Sequence, residues 1–124
     1  MPVRVLIVDD DHLFAEAVDA LVTDEGHSVI GRAENGRDGV DLALALRPDV
    51  VLMDMEMPIM DGLLATRQTS SQLDGTQVVV LSGSDIEAHI MGAQSAGAIA
   101  YVRKDRYRED LPPVLRSLAD AKGL

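Results

Sequence analysis

The chain has no cysteine and no tryptophan, and only one phenylalanine and two tyrosines in 124 residues. Without cysteine there is neither a disulfide framework nor a thiol site. Positive charge is also scarce. Eleven Lys and Arg face 21 Asp and Glu, a net −10, which speaks against nucleic acid or an anionic membrane as a partner of this segment. Acidic chains of this size are most often simply soluble, and that explains most of the excess. No apolar run approaches membrane-spanning length and the N-terminus lacks a long apolar segment, so the expected compartment is the cytoplasm. What is present is globular: 47% hydrophobic and 26% charged residues, enough for one domain over residues 1–124 with a real core.

Four stretches read as buried strands, Val3–Val8, Val50–Met53, Gln77–Leu81 and Ile99–Val102. They are continuous apolar runs, as expected for strands covered on both faces. Ser28–Ala33 is a weaker fifth, suited to an edge. Between them lie helical patterns. Leu13, Ala17, Val18 and Leu21 mark one helix, with Gly26 placed to end it. Val40, Leu42, Ala43 and Leu46 mark a second, stopped before Pro48. Leu63–Ser71 and Ile86–Ala96 give the third and fourth. In the fifth, Leu111, Val114, Leu115 and Leu118 point inward. Pro112-Pro113 belongs in a first turn, so this helix is expected to start near Asp110, with Asp110 as its cap. Ile86, Ile90 and Ala93 share a face of the fourth helix that reads as core. Alternating strands and helices imply a parallel sheet with right-handed crossovers, and five such units make an open doubly wound α/β sheet rather than a barrel. Ligands of such sheets bind beyond the carboxyl ends of the strands, where strand order reverses.

Those ends carry the chemistry. The first strand runs into Asp9, Asp10 and Asp11, the third into Asp54, the fourth into Ser82, and the fifth through Arg103 to Lys104. Two like charges about 4 Å apart repel by roughly 4 kcal/mol at an effective dielectric near 20, so a carboxylate cluster needs a cation or a proton. The donors are all oxygens, which favours a hard ion over zinc. Mg2+ needs only one or two carboxylates and leaves positions for a phosphoryl oxygen. Lys104 would add a point charge and Ser82 a hydrogen bond for the same group. Taken singly, each residue has a plainer role. Asp11 reads as a helix cap, a strand-end aspartate as a turn former, and Lys104 as a solvated surface residue. Their joint placement at four strand ends favours a site. His12, His27 and His89 read as surface or helix-end residues. Met53, Met55, Met57 and Met60 read as packing around Asp54.

Read as motifs, "LIVDDD", "DVVLMDMEMPIMDG", "VVVLSGSD" and "GAIAYVRKD" together resemble the receiver domain of two-component response regulators, over essentially the whole chain. The most specific piece is Asp54-Met55-Glu56-Met57-Pro58 followed by Asp61-Gly62. The resemblance implies the flavodoxin-like, CheY-like fold, five parallel strands in the order 2-1-3-4-5 with five helices. It implies Asp54 as phosphoacceptor, and Mg2+ held by Asp10 directly, by Asp9 through water, by Asp54 and by the backbone carbonyl of Glu56. Lys104 and Ser82 would contact the phosphoryl group, with Ser82 as the switch hydroxyl and Tyr101 as the switch aromatic. The implied donor is the phosphohistidine of a sensor histidine kinase or a small acyl phosphate. The implied output surface is the fourth helix, fifth strand and fifth helix, which could also serve a homodimer. The domain would act as a signalling phosphoacceptor with self-catalysed transfer and autodephosphorylation, not as a conventional enzyme.

Several positions depart from the family pattern. Asp105 stands where many receivers have proline. Lys-Asp and the "DDDHLF" opening resemble the NarL/LuxR-type branch, whose receivers precede a helix-turn-helix. The preferred expectation is that such a DNA-binding domain follows Leu124 in the natural protein and controls transcription; the alternatives are a single-domain regulator and a pseudo-receiver that works without phosphorylation. Ser82-Gly83 replaces a more familiar Thr-Ala and loosens the next loop, and Glu56 and Ser84 sit where the family tunes dephosphorylation. A flavodoxin-like electron carrier would need a hydroxyl-rich loop after the first strand and more aromatics. A haloacid-dehalogenase phosphatase would need a D-x-D nucleophile pattern with a following Thr or Val, absent from "DDDHL".

Overall fold

A computed structural model describes residues 2–83 and 86–123. Five strands, β1 (Arg4–Val8), β2 (Ser28–Ala33), β3 (Val50–Asp54), β4 (Gln77–Ser82) and β5 (Ala100–Arg103), alternate with five helices. These are α1 (His12–Asp24), α2 (Gly36–Leu46), α3 (Gly62–Gln72), α4 (Glu87–Ser95) and α5 (Tyr107–Ala121). The sheet is parallel throughout, in the order β2-β1-β3-β4-β5, as the motifs implied. It is the CheY-like, flavodoxin-like arrangement.

The apolar runs explain the layering. Successive strand side chains point to opposite faces, so Val5, Ile7, Leu52, Val79 and Leu81 enter a core shared with Ala15, Val18 and Val22 of α1 and Leu111 and Leu115 of α5. Leu6, Val8, Val51, Met53, Val78 and Val80 enter the other, against Val40 and Ala43 of α2, Ala65 of α3 and Ala93 of α4. β3 is buried along its whole length, whereas β2 and β5 are half-covered edges. Met53, Met55 and Met60 are buried and Met57 partly so, all in the second core.

Helix starts follow side-chain caps where the chain supplies them. Asp11 accepts the Phe14 N–H, Asn35 that of Asp38 and Asp61 that of Leu64. The end of α2 has a different device: Arg47 is left-handed at φ 48, and the Arg4 guanidinium donates to the carbonyls of Arg47 and Leu46 at 2.8 and 2.9 Å. Among the described residues no helix is long and apolar enough to cross a membrane.

Two expectations need correction, the start of α5 and the core face of α4. α5 starts at Tyr107, not near Asp110, and both prolines lie inside it. A 3-10 turn over Lys104–Arg106 feeds the helix directly, and burial of Leu111 and Leu115 holds it in place. The two carbonyls the prolines cannot serve belong to Arg108 and Glu109, both exposed, where water can take them. Asp110 accepts from Arg106 Nε at 3.3 Å instead of capping. On α4 the supposed core face is only partly covered: Ala93 is buried, but Ile86 is 57% exposed. His27 sits at the end of α1 as expected, its N–H donating to the Val22 carbonyl at 3.1 Å, and its Nδ1 also accepts the Val3 N–H at 3.1 Å.

Candidate functional site

Strand order reverses between β1 and β3, because the chain leaves β1 for β2 on one side and returns to β3 on the other. Register then sets the neighbours. Val8 lies beside Met53, Asp54 beside Leu81 and Ser82 beside Arg103. The residues that end or follow these strands, Asp9, Asp54, Ser82 and Lys104, therefore arrive at one rim, at the position where doubly wound sheets bind ligands.

A shallow pocket there is lined by Asp10, Asp11, Asp54, Glu56, Ser82, Gly83 and Lys104. Carboxylate oxygens of Asp9, Asp10 and Asp54 lie within 4.8 Å of one another. Asp9 and Asp54 are buried and Asp10 is exposed at the mouth. Asp9 Oδ1 accepts the Asp11 N–H at 2.8 Å, which turns the chain from β1 into α1. Lys104 is no solvated surface lysine: its Nζ sits 2.9 Å from Asp9 Oδ2 and 3.2 Å from Asp54 Oδ1.

Electrostatics here are set by crowding. Burial, and next the charge of Asp9, push the Asp54 carboxyl up to about 6; Lys104 pulls it back and Asp10 adds to the rise. Burial pulls on the Lys104 ammonium, yet its contacts with Asp9 and Asp54 outweigh this and its pKa is raised, so it stays charged. The close trio of Asp9, Asp10 and Asp54 thus shares one fixed cation, Lys104. An all-oxygen donor set with surplus negative charge fits a hard divalent ion better than zinc.

Most predicted residues converge. Ser82 is buried at the end of β4, with Oγ 4.0 Å from Met55 Sδ. Glu56 is exposed on the pocket lining. Tyr101 does not line the pocket; it is half-buried against the second core, on the sheet face covered by α3 and α4. Asp11 caps α1 as well as touching the pocket. Asp105 pairs with Arg103 at 2.6 Å. Ser84 lies outside the described residues.

Two residues that shape the site escaped sequence reasoning. The first is Gly62. A Cβ there would sit 1.9 Å from the Asp54 carbonyl oxygen and 2.7 Å from the Met55 Cα, and its N–H donates to the Met55 carbonyl at 2.8 Å. Only glycine lets α3 approach the strand end that carries Asp54. The second is Phe14, whose ring centroid lies 4.6 Å from Lys104 Nζ. Its being the sole phenylalanine beside the acidic run was the available signal.

Comparison with known proteins identifies the family and agrees with the fold. Residues 5–116 match the family described as response regulator receiver domain. The response regulator MprA of Mycolicibacterium vanbaalenii is 37% identical over 118 residues, 95% of this chain and 51% of that protein. Protein-glutamate methylesterase/protein-glutamine glutaminase 1 of Pseudomonas aeruginosa is 40% identical over 108 residues, 85% of this chain but 29% of that protein. This chain therefore spans from under a third to about half of these relatives. The signal receiver domain of the response regulator NarL from Mycobacterium tuberculosis superposes with a TM-score of 0.87 at 34% identity, covering 96% of this chain and 97% of that one. With sheet order, strand-end chemistry and a match along nearly its whole length in agreement, the chain belongs to the receiver domains of two-component response regulators.

Proposed function

We propose that the chain accepts a phosphoryl group on Asp54 in a Mg2+-dependent reaction and relays the change as a signal. The observation that carries this is the contact of Lys104 with both Asp9 and Asp54, inside a trio of carboxylates within 4.8 Å. Asp9, Asp10, Asp54 and the Glu56 carbonyl would hold the ion. Bound there, Mg2+ neutralises charge on the acceptor and on the phosphoryl oxygens.

The remaining steps belong to the chain. The Asp54 carboxylate attacks phosphorus while the bond from phosphorus to the donor breaks, the electron pair leaving on the imidazole of a sensor histidine kinase or on the carboxylate of an acyl phosphate. Lys104 follows the growing charge on the equatorial oxygens and the Ser82 hydroxyl donates to one of them, so positioning and charge stabilisation supply most of the rate. Hydrolysis attacks phosphorus with water, releases phosphate and restores Asp54. The domain is thus a self-phosphorylating acceptor with a built-in reset, not an enzyme acting on a separate substrate.

Inward movement of Ser82 with repacking of Tyr101 would bias the surface of α4, β5 and α5, a population shift and not a new fold. That surface would serve a homodimer or an output partner. Transcription through a DNA-binding domain outside this chain is the output we favour, in the cytoplasm; this segment itself binds neither nucleic acid nor membrane.

Intact-mass measurement after incubation with acetyl phosphate and Mg2+ tests the reading. Wild type gains one phosphoryl group and Asp54→Asn gains none. Label on both proteins places the acceptor elsewhere, and label on neither leaves the domain as a phosphorylation-independent binding module.

A further inference from the structure

Lysine is a compact charge on a flexible four-carbon stem, so its placement in the pocket needs more than a nearby acid. Among the described residues three groups contact the ammonium. Two are Asp9 and Asp54, and the third is the Phe14 ring, 4.6 Å from Nζ to centroid. The ring is anchored through its backbone and braced at its edge. The Phe14 backbone N–H donates to the Asp11 carboxylate at 3.1 Å, which fixes the start of the helix that carries the ring. Its neighbour Tyr107 meets it 5.1 Å away at an interplanar angle of 73°, an edge-to-face contact. Tyr107 opens α5 directly after the turn that begins with Lys104. The turn after the acidic run thus brings the ring to the lysine, and the turn after the lysine brings the brace to the ring.

We propose that Phe14 is a positioning residue for phosphoryl transfer: its π face, braced by Tyr107, holds the Lys104 ammonium over Asp54. The inference rests on the phosphoacceptor reading of Asp54. Phosphorylation of Asp54 moves its negative charge outward onto the phosphoryl oxygens, so Lys104 must shift to follow it, while the ring's attraction for a cation persists. The ring therefore keeps the ammonium within reach of the phosphoryl oxygens in both states. The plainer alternative is that Phe14 only fills space between α1 and α5, where it packs against the first core. Ring electronics and ring volume separate the two.

Phe14 is the only phenylalanine in the chain, so biosynthetic replacement of phenylalanine by mono-, di- and trifluorinated analogues changes this ring alone. Each fluorine weakens the negative face at nearly constant volume. We expect the rate of Asp54 labelling by acetyl phosphate with Mg2+ to fall stepwise, by roughly threefold to tenfold across the series, with an unchanged urea midpoint. Phe14→Leu falls at the low end and Phe14→Tyr restores the rate. In the unphosphorylated protein the Lys104 side-chain methylene protons nearest the ammonium are shifted upfield by the ring, and Phe14→Leu returns them to ordinary positions. Equal labelling rates across the fluorinated series overturn the proposal, as do unshifted lysine protons in wild type. A wild type that takes no label removes the positioning role together with the phosphoacceptor reading; the ring shift, measured without phosphate, then shows that the transfer chemistry failed and not the contact.

Discussion

Asp54 is the residue on which chemistry and stability pull in opposite directions. Its carboxyl is raised from 3.8 to about 6 by burial and by Asp9, so the folded protein binds a proton there that the unfolded chain has already released. Between those two values, stability from this group falls as pH rises, and above about 6 the full cost of a buried charge remains. Asp54→Asn removes that cost. In metal-free protein we expect Asp54→Asn to be more stable than wild type by about 1–2 kcal/mol at pH 7.5, after allowing for solvent in the open pocket, with the difference vanishing towards pH 4. Urea unfolding at several pH values in chelator checks this; a constant difference across pH would remove Asp54 as its source. A second strain sits at Ile59, a β-branched residue at φ 72 whose side chain is 82% exposed. The Met60 N–H reaches back to the Pro58 carbonyl at 2.8 Å, closing a three-residue turn around it. Ile59→Gly should raise stability by about 0.5–1 kcal/mol, because relieving the backbone outweighs the added freedom of the unfolded chain. A lowered denaturation midpoint would mean the exposed side chain makes a contact that matters. Nothing in "MEMPIMDG" announces this strain, since a positive φ at isoleucine arises from the close passage of the loop past α2, where the Gly36 N–H bonds to the Met60 carbonyl.

At the level of elements, α5 shows why periodicity outran local rules. The spacing of Leu111, Val114, Leu115 and Leu118 predicts an inner face, and all four pack into or against the first core. The expected start near Asp110 fails because the proline rule concerns local bonds, whereas Tyr107 is held by its ring contact with Phe14 of α1, which sequence proximity does not reveal. The helix therefore carries two prolines at a real cost. Pro113 is exposed, so Pro113→Ala should restore a bond to the Glu109 carbonyl without opening a cavity. We expect a gain of roughly 1–3 kcal/mol, read as a higher thermal midpoint. No gain would show that the carbonyl is already well served by water. Strands were easier to read, within one residue at their ends, since apolar runs of this length suit little else in an alternating chain. The α4 face was harder because Ile86 and Met91 look like core residues yet are each 57% exposed, and only Ala93 is buried on that helix.

The whole molecule carries a net −10, and part of that charge is concentrated where the strand order reverses. The strand-end acids and Lys104 were legible because topology alone delivers strand ends to one rim, whatever the side-chain packing. The ring over Lys104 and the contact requiring Gly62 were not, because they depend on how closely helices approach the sheet. The two scales of charge make separable predictions. Any salt should stabilise the protein modestly by screening its self-repulsion. Mg2+ at the same ionic strength should stabilise it further, since an ion that binds only the folded pocket adds about 1.4 kcal/mol at ten times its Kd. Asp10→Ala deletes the exposed acid of the trio, leaving Asp9 and Asp54 still paired with Lys104. Its thermal midpoint should respond to NaCl as wild type does and lose the extra response to MgCl2. An equal Mg2+ response in both proteins would assign that stabilisation to the diffuse charge of the surface and leave the acidic pocket without its ion.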